Sequence, residues 1–252
     1  PKYDRLDDQQ GFAGQLAFDH RGNGPLSLRG WAFFNTLDVE ENRYDDASYS
    51  TLVKKGSYHT ETTTDVVGGS LQAAYDLLQR GVLTFSLNGQ REAWEATGYE
   101  MTSNNVSSAI DSDDYLQIYS AAVEYTVAPL DALGVVFGFA HHYQAREESD
   151  EDTYSYLLGL HYDLLEGTRL KASHARKIRF PSIKQLYYVS SGNSNLHAET
   201  TMHYEIGLEQ ALPAETKLAV TLFHNDAEDF IEKDTNDINQ NFEHYRFRGG
   251  EI

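Results

Sequence analysis

The 252-residue sequence contains no cysteine, and only five prolines, two methionines and two tryptophans. The missing thiols exclude a disulfide framework, a thiolate metal site and a cysteine nucleophile. Basic residues are scarce: 20 Lys and Arg stand against 39 Asp and Glu, a formal net charge of −19. That balance repels phosphates and argues against a nucleic-acid partner. Long hydrophobic runs are also missing. No stretch approaches the ~20 apolar residues of a membrane-spanning helix, which excludes helical membrane proteins and nothing else. A mean hydropathy of −0.55 does not exclude a membrane barrel, because its strands alternate apolar and polar side chains. Catalytic signatures are absent too: there is no G-x-S-x-G elbow, no H-E-x-x-H, no phosphate-binding glycine loop and no helical E-x-x-H pair.

What the sequence does contain is alternation. From Gly11 onward it is a succession of period-2 segments with almost no helical periodicity. The expected strand pairs are 12–19 with 26–35, 62–76 with 82–95, 115–127 with 134–146, 153–162 with 168–178, and 202–212 with 217–232. Another strand begins at Phe242. Within each pair the connection is short: 20–25, 77–81, 128–133, 163–167 and PAET at 213–216. Between pairs it is long and polar: 38–61, 96–112, 179–201 and 233–241, with EESDED at 147–152. Outer-membrane barrels alternate short and long connections in this way. The reading is an all-β, antiparallel up-and-down meander of about ten or eleven strands, one domain over 1–252 and part of a larger transmembrane barrel. Each strand reverses direction, so the long loops belong at one end and the short turns at the other. Because Pro1 opens the sequence and a strand closes it, the chain is expected to be an excerpt of a longer protein.

The apolar faces point the same way. On 153–162 one face reads Tyr154, Tyr156, Leu158, Leu160 and Tyr162, aromatic at both ends and aliphatic between. Tyr115, Tyr119, Ala121, Val123, Tyr125 and Val127 form a second such face; Val135, Phe137, Phe139 and Tyr143 form a third, broken by His141. Tyrosine at the ends of an apolar band suits two membrane interfaces, because its ring is apolar and its hydroxyl needs water. The opposite faces carry Arg169, Lys171, Glu205 and Glu209, too charged for a dry core. The rival is a soluble all-β protein with cross-strand aromatic pairs.

The stretch 176–209 reads strand, long polar loop, strand. Three clusters mark it: Arg179, Pro181, Ser182, Leu186 and Tyr187; then Gly192, Asn193, Leu196, Glu199 and Thr200; then Tyr204, Glu205 and Gly207. This series resembles the late barrel region of TonB-dependent outer-membrane receptors, departing at Ser194 and Ala198, where that family often has proline. The resemblance implies a 22-stranded barrel with a plugged lumen, placed in the Gram-negative outer membrane. It implies uptake of a ferric siderophore, cobalamin or haem-type chelate, and no enzymatic activity or resident cofactor. The expected partners are outer-membrane lipid, the chelate and a TonB-type energy-transducing protein reached through an N-terminal region outside these residues. Passive porin-like and adhesin barrels are the alternative. A lipase or protease barrel would need a Ser/His/acid set converging on one face, and none is found.

Four residues of this loop region are ligand-binding candidates. Tyr187 and Tyr188 form an aromatic pair in a polar loop and could stack on a flat chelate. Arg179 precedes the strand-ending proline, where pairing with a lumen carboxylate is the competing role. His197 is the histidine nearest the position at which haem-uptake members of the family carry one. Elsewhere, His141 and His142 project to opposite faces and cannot chelate together. The acidic groups at 111–114, 147–152 and 226–229 lack EF-hand spacing and read as solvated loop faces.

Overall fold

The computed structural model describes residues 3–252 apart from Glu148 and Val189, and for Gln79 the backbone only. Ten long strands follow in order: β1 (Tyr3–Arg21), β2 (Leu26–Tyr44), β3 (Tyr58–Asp76), β4 (Val82–Ser103), β5 (Val106–Leu130), β6 (Leu133–Arg146), β7 (Asp150–Leu165), β8 (Thr168–Arg179), β9 (Glu199–Leu212) and β10 (Thr216–Glu228). A short helix, α1 (Ile183–Tyr187), lies between β8 and β9. The chain ends with β11 (Phe230–Lys233), β12 (Asn239–Phe242) and β13 (Tyr245–Glu251). One eleven-stranded sheet runs β1 to β10 in sequence order and finishes with β13, while β11 and β12 pair separately. Every neighbouring pair is antiparallel, and β1 does not pair with β13, so the wall is open along both edges.

The meander expected from the sequence is present, but its strands are longer than expected. The stretch 96–112 is strand, not loop: β4 and β5 pair from Val82↔Thr126 up to Ser103↔Val106 and reverse through Asn104-Asn105, the latter at φ 62°. Asparagine tolerates this left-handed conformation because its short side chain can bond locally. Likewise β2 and β3 extend into 38–61 from both ends, leaving 45–57 as the connection. The reason is environmental. Beyond the apolar band the outward face carries Glu95, Asp111 and Asp113 into water while the inward face meets the segments folded over it, so the outward apolar alternation fades while the backbone ladder continues. The 25 residues of β5 reach roughly 80 Å at about 3.3 Å per residue, well past a bilayer that needs ~9–11 tilted residues.

The expected strand 217–232 divides at Asp229, which takes φ 55° and turns the chain into the β11–β12 hairpin. The connections at the end bearing 45–57 and 180–198 are not uniformly long, since two of them are only 104–105 and 147–149. It is the antiparallel order that places them together.

Register fixes the two faces. Leu160, Ala172, Ile206 and Leu222 lie in one cross-strand row. Tyr162, Leu170, Leu208 and Val220 form the next. This outward face is uncovered, with Leu16 77% and Ile206 60% exposed. The inward face is polar along most of its height. Lys171 and Lys217 flank Glu209, the latter with Nζ 2.8 Å from Oε2, and the His142 ring sits between Ser120 Oγ and Ser155 Oγ, 2.8 Å from each.

The dry core lies elsewhere. Trp94, Ala96, Ile110 and Leu116, on the inner side of β4 and β5, pack with Ile183, Leu186, Leu196 and Ile231 of the segments that fold over them.

Candidate functional site

The segment 180–198 does not splay outward. It crosses the inner side of the wall, carries α1 onto β4 and β5, and leans on the β11–β12 hairpin. Together 180–198 and 230–242 form an insert inside the concave wall.

Local chemistry fixes its shape. Pro181 ends β8, and Ser182 begins α1 with a capping box: its Oγ accepts from Gln185 N at 3.3 Å, and Gln185 Oε1 accepts from Ser182 N at 3.0 Å. Two buried apolar residues of that helix, Ile183 and Leu186, then face Trp94 and Leu116. Gly192 closes the turn. A Cβ there would stand 2.7 Å from Leu186 O, Tyr188 N and Tyr188 O, so no larger residue fits without moving backbone.

Buried polar groups hold the insert to its neighbours. The Arg146 side chain is 3% exposed; it donates to Glu151 Oε2 at 2.5 Å, Gln144 Oε1 at 2.8 Å and the Leu196 carbonyl at 2.7 Å. Glu151 Oε1 in turn accepts from Ala198 N at 2.8 Å. Arg179 is paired with Glu199 through Nε at 2.6 Å and through a second guanidinium nitrogen. Glu199 also accepts from Ile231 N at 2.8 Å, joining the loop base to the hairpin. Asparagine amides complete the seam: Asn193 Nδ2 to Asn239 O at 2.9 Å, Asn239 Nδ2 to Ser191 O at 2.8 Å and Asn241 Nδ2 to His197 O at 3.0 Å.

Between the insert and the wall is a cavity of about 440 Å³, lined among others by Arg43, Tyr58, Trp94, Tyr188, Ser191 and Lys233. Its aromatic side is built from three rings. Trp94 and Tyr188 are tilted with centroids 6.0 Å apart, and the Arg43 guanidinium lies 4.8 Å above the Tyr58 ring. The Trp94 indole Nε1 is buried and has no hydrogen-bond partner among the described residues. Burial is the main cause raising the Tyr188 hydroxyl above its ordinary pKa, so it stays a neutral donor. Arg43 is paired with Asp4, its Nε 2.6 Å from Oδ1, and Glu100, Asp237 and Lys233 also line the cavity. An uncharged or internally compensated guest with flat apolar surface suits such walls.

The four residues singled out in the sequence have separate fates. Tyr188 reaches the cavity. Tyr187 is half-buried and packs against the apolar core, so the aromatic pair is not the exposed pair that a polar loop suggested. Arg179 is engaged with Glu199, the structural role set beside ligand binding. His197 is largely exposed, with Nδ1 3.8 Å from Glu151 Oε1, and lies outside the cavity lining. The residues sequence reasoning missed, Trp94, Tyr58 and Arg43, sit on strands more than 80 positions from the loop; no local pattern connects them to it. Among the described residues, no group of three or more His, Asp and Glu side chains is arranged to hold a metal ion.

The architecture and the three motif clusters meet in one family. The TonB dependent receptor-like beta-barrel model matches residues 1–252, and the chain belongs to that family of receptors and transporters, whose members reside in the Gram-negative outer membrane. Among solved structures, the copper transporter OprC superposes with a TM-score of 0.78 at 14% identity, over 98% of this chain and 44% of that one. The ferric yersiniabactin uptake receptor FyuA from Yersinia pestis gives 0.76 at 14% identity, over 96% and 39%. The ferric-catecholate import receptor Fiu from K12 E. coli gives 0.65 at 12%, over 99% and 44%. At these identities the likeness is one of fold, and the chain spans less than half the length of each neighbour. No curated protein matches the sequence.

Proposed function

We propose that this chain supplies part of the wall of an energy-coupled receptor in the Gram-negative outer membrane that imports a scarce, bulky metal chelate of ferric-siderophore, cobalamin or haem type. The observation that carries the reading is the insert. A passive pore gains from an open lumen, whereas here a packed loop and hairpin fold across the inner wall and leave an aromatic cavity beneath them. Relatives in fold that are described as uptake receptors for ferric chelates and as a copper transporter support the same substrate class. Energy would come from a TonB-type protein acting through regions outside this chain.

Of the four candidate contacts, Tyr188 is the one we assign to the ligand, its ring backed by the buried Trp94. Tyr187, Arg179 and His197 then act by shaping the insert and its rim. In the full-length receptor, uptake of radiolabelled ferric chelates by intact cells should saturate and cease when the proton-motive force is dissipated. Tyr188→Ala should weaken binding of the transported chelate by roughly 0.5–1.5 kcal/mol, the value of one aromatic stack. Flux that persists unchanged after de-energisation identifies a passive barrel and overturns the proposal.

A further inference from the structure

The outward face of the wall carries a second feature, separate from the cavity and independent of any import. Above the apolar rows, register places His174, Tyr204, His224 and Arg248 side by side on β8, β9, β10 and β13. The next row is Arg176, Met202, Asp226 and Arg246 on the same strands. All project to the same face as Ile206 and Leu222, because side chains two apart share a side. The rows therefore stand where an apolar membrane interior gives way to headgroups.

Their composition runs against the rest of the chain. Three arginines and two histidines share a single carboxylate, Asp226, with Glu228 one row farther from the apolar band. Arg246 Nε lies 2.8 Å from Asp226 Oδ1, His224 Nε2 lies 2.9 Å from Oδ2, and Arg248 Nε donates to His224 Nδ1 at 3.0 Å. Arg246 keeps 52% of its side chain exposed, and Arg248 is exposed. Aromatic rings are interleaved: His174 stacks on Tyr204 with centroids 4.5 Å apart, and Arg176 lies 4.2 Å over Tyr154. On the other flank, β2 to β5 present Asp38, Thr63, Glu95 and Asp113 in one outward row, farther along the strands. The outward face is thus acidic on one flank and basic on the other.

We propose that the Arg176–Arg246–Arg248 patch docks the phosphorylated headgroup of an anionic lipid in the leaflet on the insert's side of the membrane. Guanidinium groups bind phosphate oxygens with paired, directional hydrogen bonds. The tyrosine and histidine rings occupy the same interfacial layer, and the adjoining Ile206 and Leu222 offer apolar surface to acyl chains. One lipid then satisfies both halves of the patch, which a soluble phosphate cannot.

The test uses the full-length receptor in neutral detergent, with its thermal unfolding midpoint as readout. Dihexanoyl phosphatidic acid should raise the midpoint by about 2 °C at a tenfold excess over its dissociation constant. Dihexanoyl phosphatidylcholine, with the same chains and no net charge, should not. Arg246→Gln with Arg248→Gln should abolish the shift, while Arg91→Gln on the acidic flank should leave it intact. An equal shift with phosphatidylcholine would mean that only the chains bind. The same shift with inorganic phosphate alone would mean that the patch takes a free ion. A shift that survives the double substitution places the lipid elsewhere. Each of these overturns the proposal. A double variant that fails to fold is replaced by Arg248→Gln alone, expected to lose most of the shift.

Discussion

The lower wall and the insert-bearing upper wall follow opposite rules. In the lower wall the apolar side chains, Leu160, Ile206 and Leu222 among them, face outward and stay uncovered, while charge collects inside at Lys171, Glu209 and Lys217. In the upper wall the apolar side chains, Trp94, Leu116 and Ile110, face inward and are buried, while Glu95 and Asp113 face out. Strand β4 carries both patterns, since Phe85 and Leu87 lower on it face outward and are exposed. The face a residue prefers is therefore set by what covers it, and in the upper wall the 180–198 insert covers the inside. Hydrophobic burial has no direction of its own.

Removing the cover of one region should break the comparison most sharply. Trp94→Ala deletes the largest fully buried side chain of the upper wall, and loss of a buried tryptophan costs about 3–5 kcal/mol. The insert should undock while the lower wall persists. Limited proteolysis would then cut within 180–198 while the heat-resistant folded form on detergent gels is retained. Loss of that folded form at equal dose would mean that the two regions are one unit.

A smaller break concerns the seam. Glu199→Gln keeps the shape but removes the charge that pairs with Arg179 and accepts from Ile231 N. The weakened charged bonds cost about 1.5–3 kcal/mol. Hydrogen exchange should quicken at the Ile231 amide and along the β11–β12 hairpin, with β6 to β8 unchanged.

The smallest effect is local and depends on pH. Asp45 accepts from Val53 N, Lys54 N and Ser57 Oγ. These bonds outweigh desolvation and hold its carboxyl well below the ordinary value. A depressed folded pKa contributes stability that is present above the unfolded value near 3.9 and lost as pH falls through the folded one. Exchange at the Val53 and Lys54 amides should therefore stay slow at neutral pH and accelerate, relative to the intrinsic rate, only as pH drops below about 4. Asp45→Asn should remove that acceleration by making these amides fast throughout.

The fold was legible because a meander is written locally. Period-2 faces such as Tyr154 to Tyr162, turn residues between them and tyrosines at band edges each report on neighbours in sequence. Strand ends were less legible, because Asp111, Asp113 and Glu95 put the outward face in water while the inward face is covered by an insert from distant sequence. The site was least legible. Tyr188 stands out by residue type, but its ring is half-buried rather than exposed, and Trp94, its ring partner, belongs to β4. Arg179, Gly192, Asn193 and Glu199 carried the family resemblance, and in the structure they brace the insert. What marked them in the sequence was architecture.

The insert also sets an order of assembly. Pairs such as β4 with β5 close through turns of a few residues, so the wall can zip strand by strand at little loop-closure cost. The insert is different. Its bonds link residues 50 apart in Arg146 to Leu196, 48 apart in Asn239 to Ser191 and 32 apart in Ile231 to Glu199. Such contacts form only after β6, β9 and β10 are in place. A nascent sheet therefore passes through a stage in which Trp94 and Leu116 are bare on its inner side and Ile206 and Leu222 are bare on its outer side. During that interval both faces are adhesive, and the chain has most need of a membrane or a chaperone.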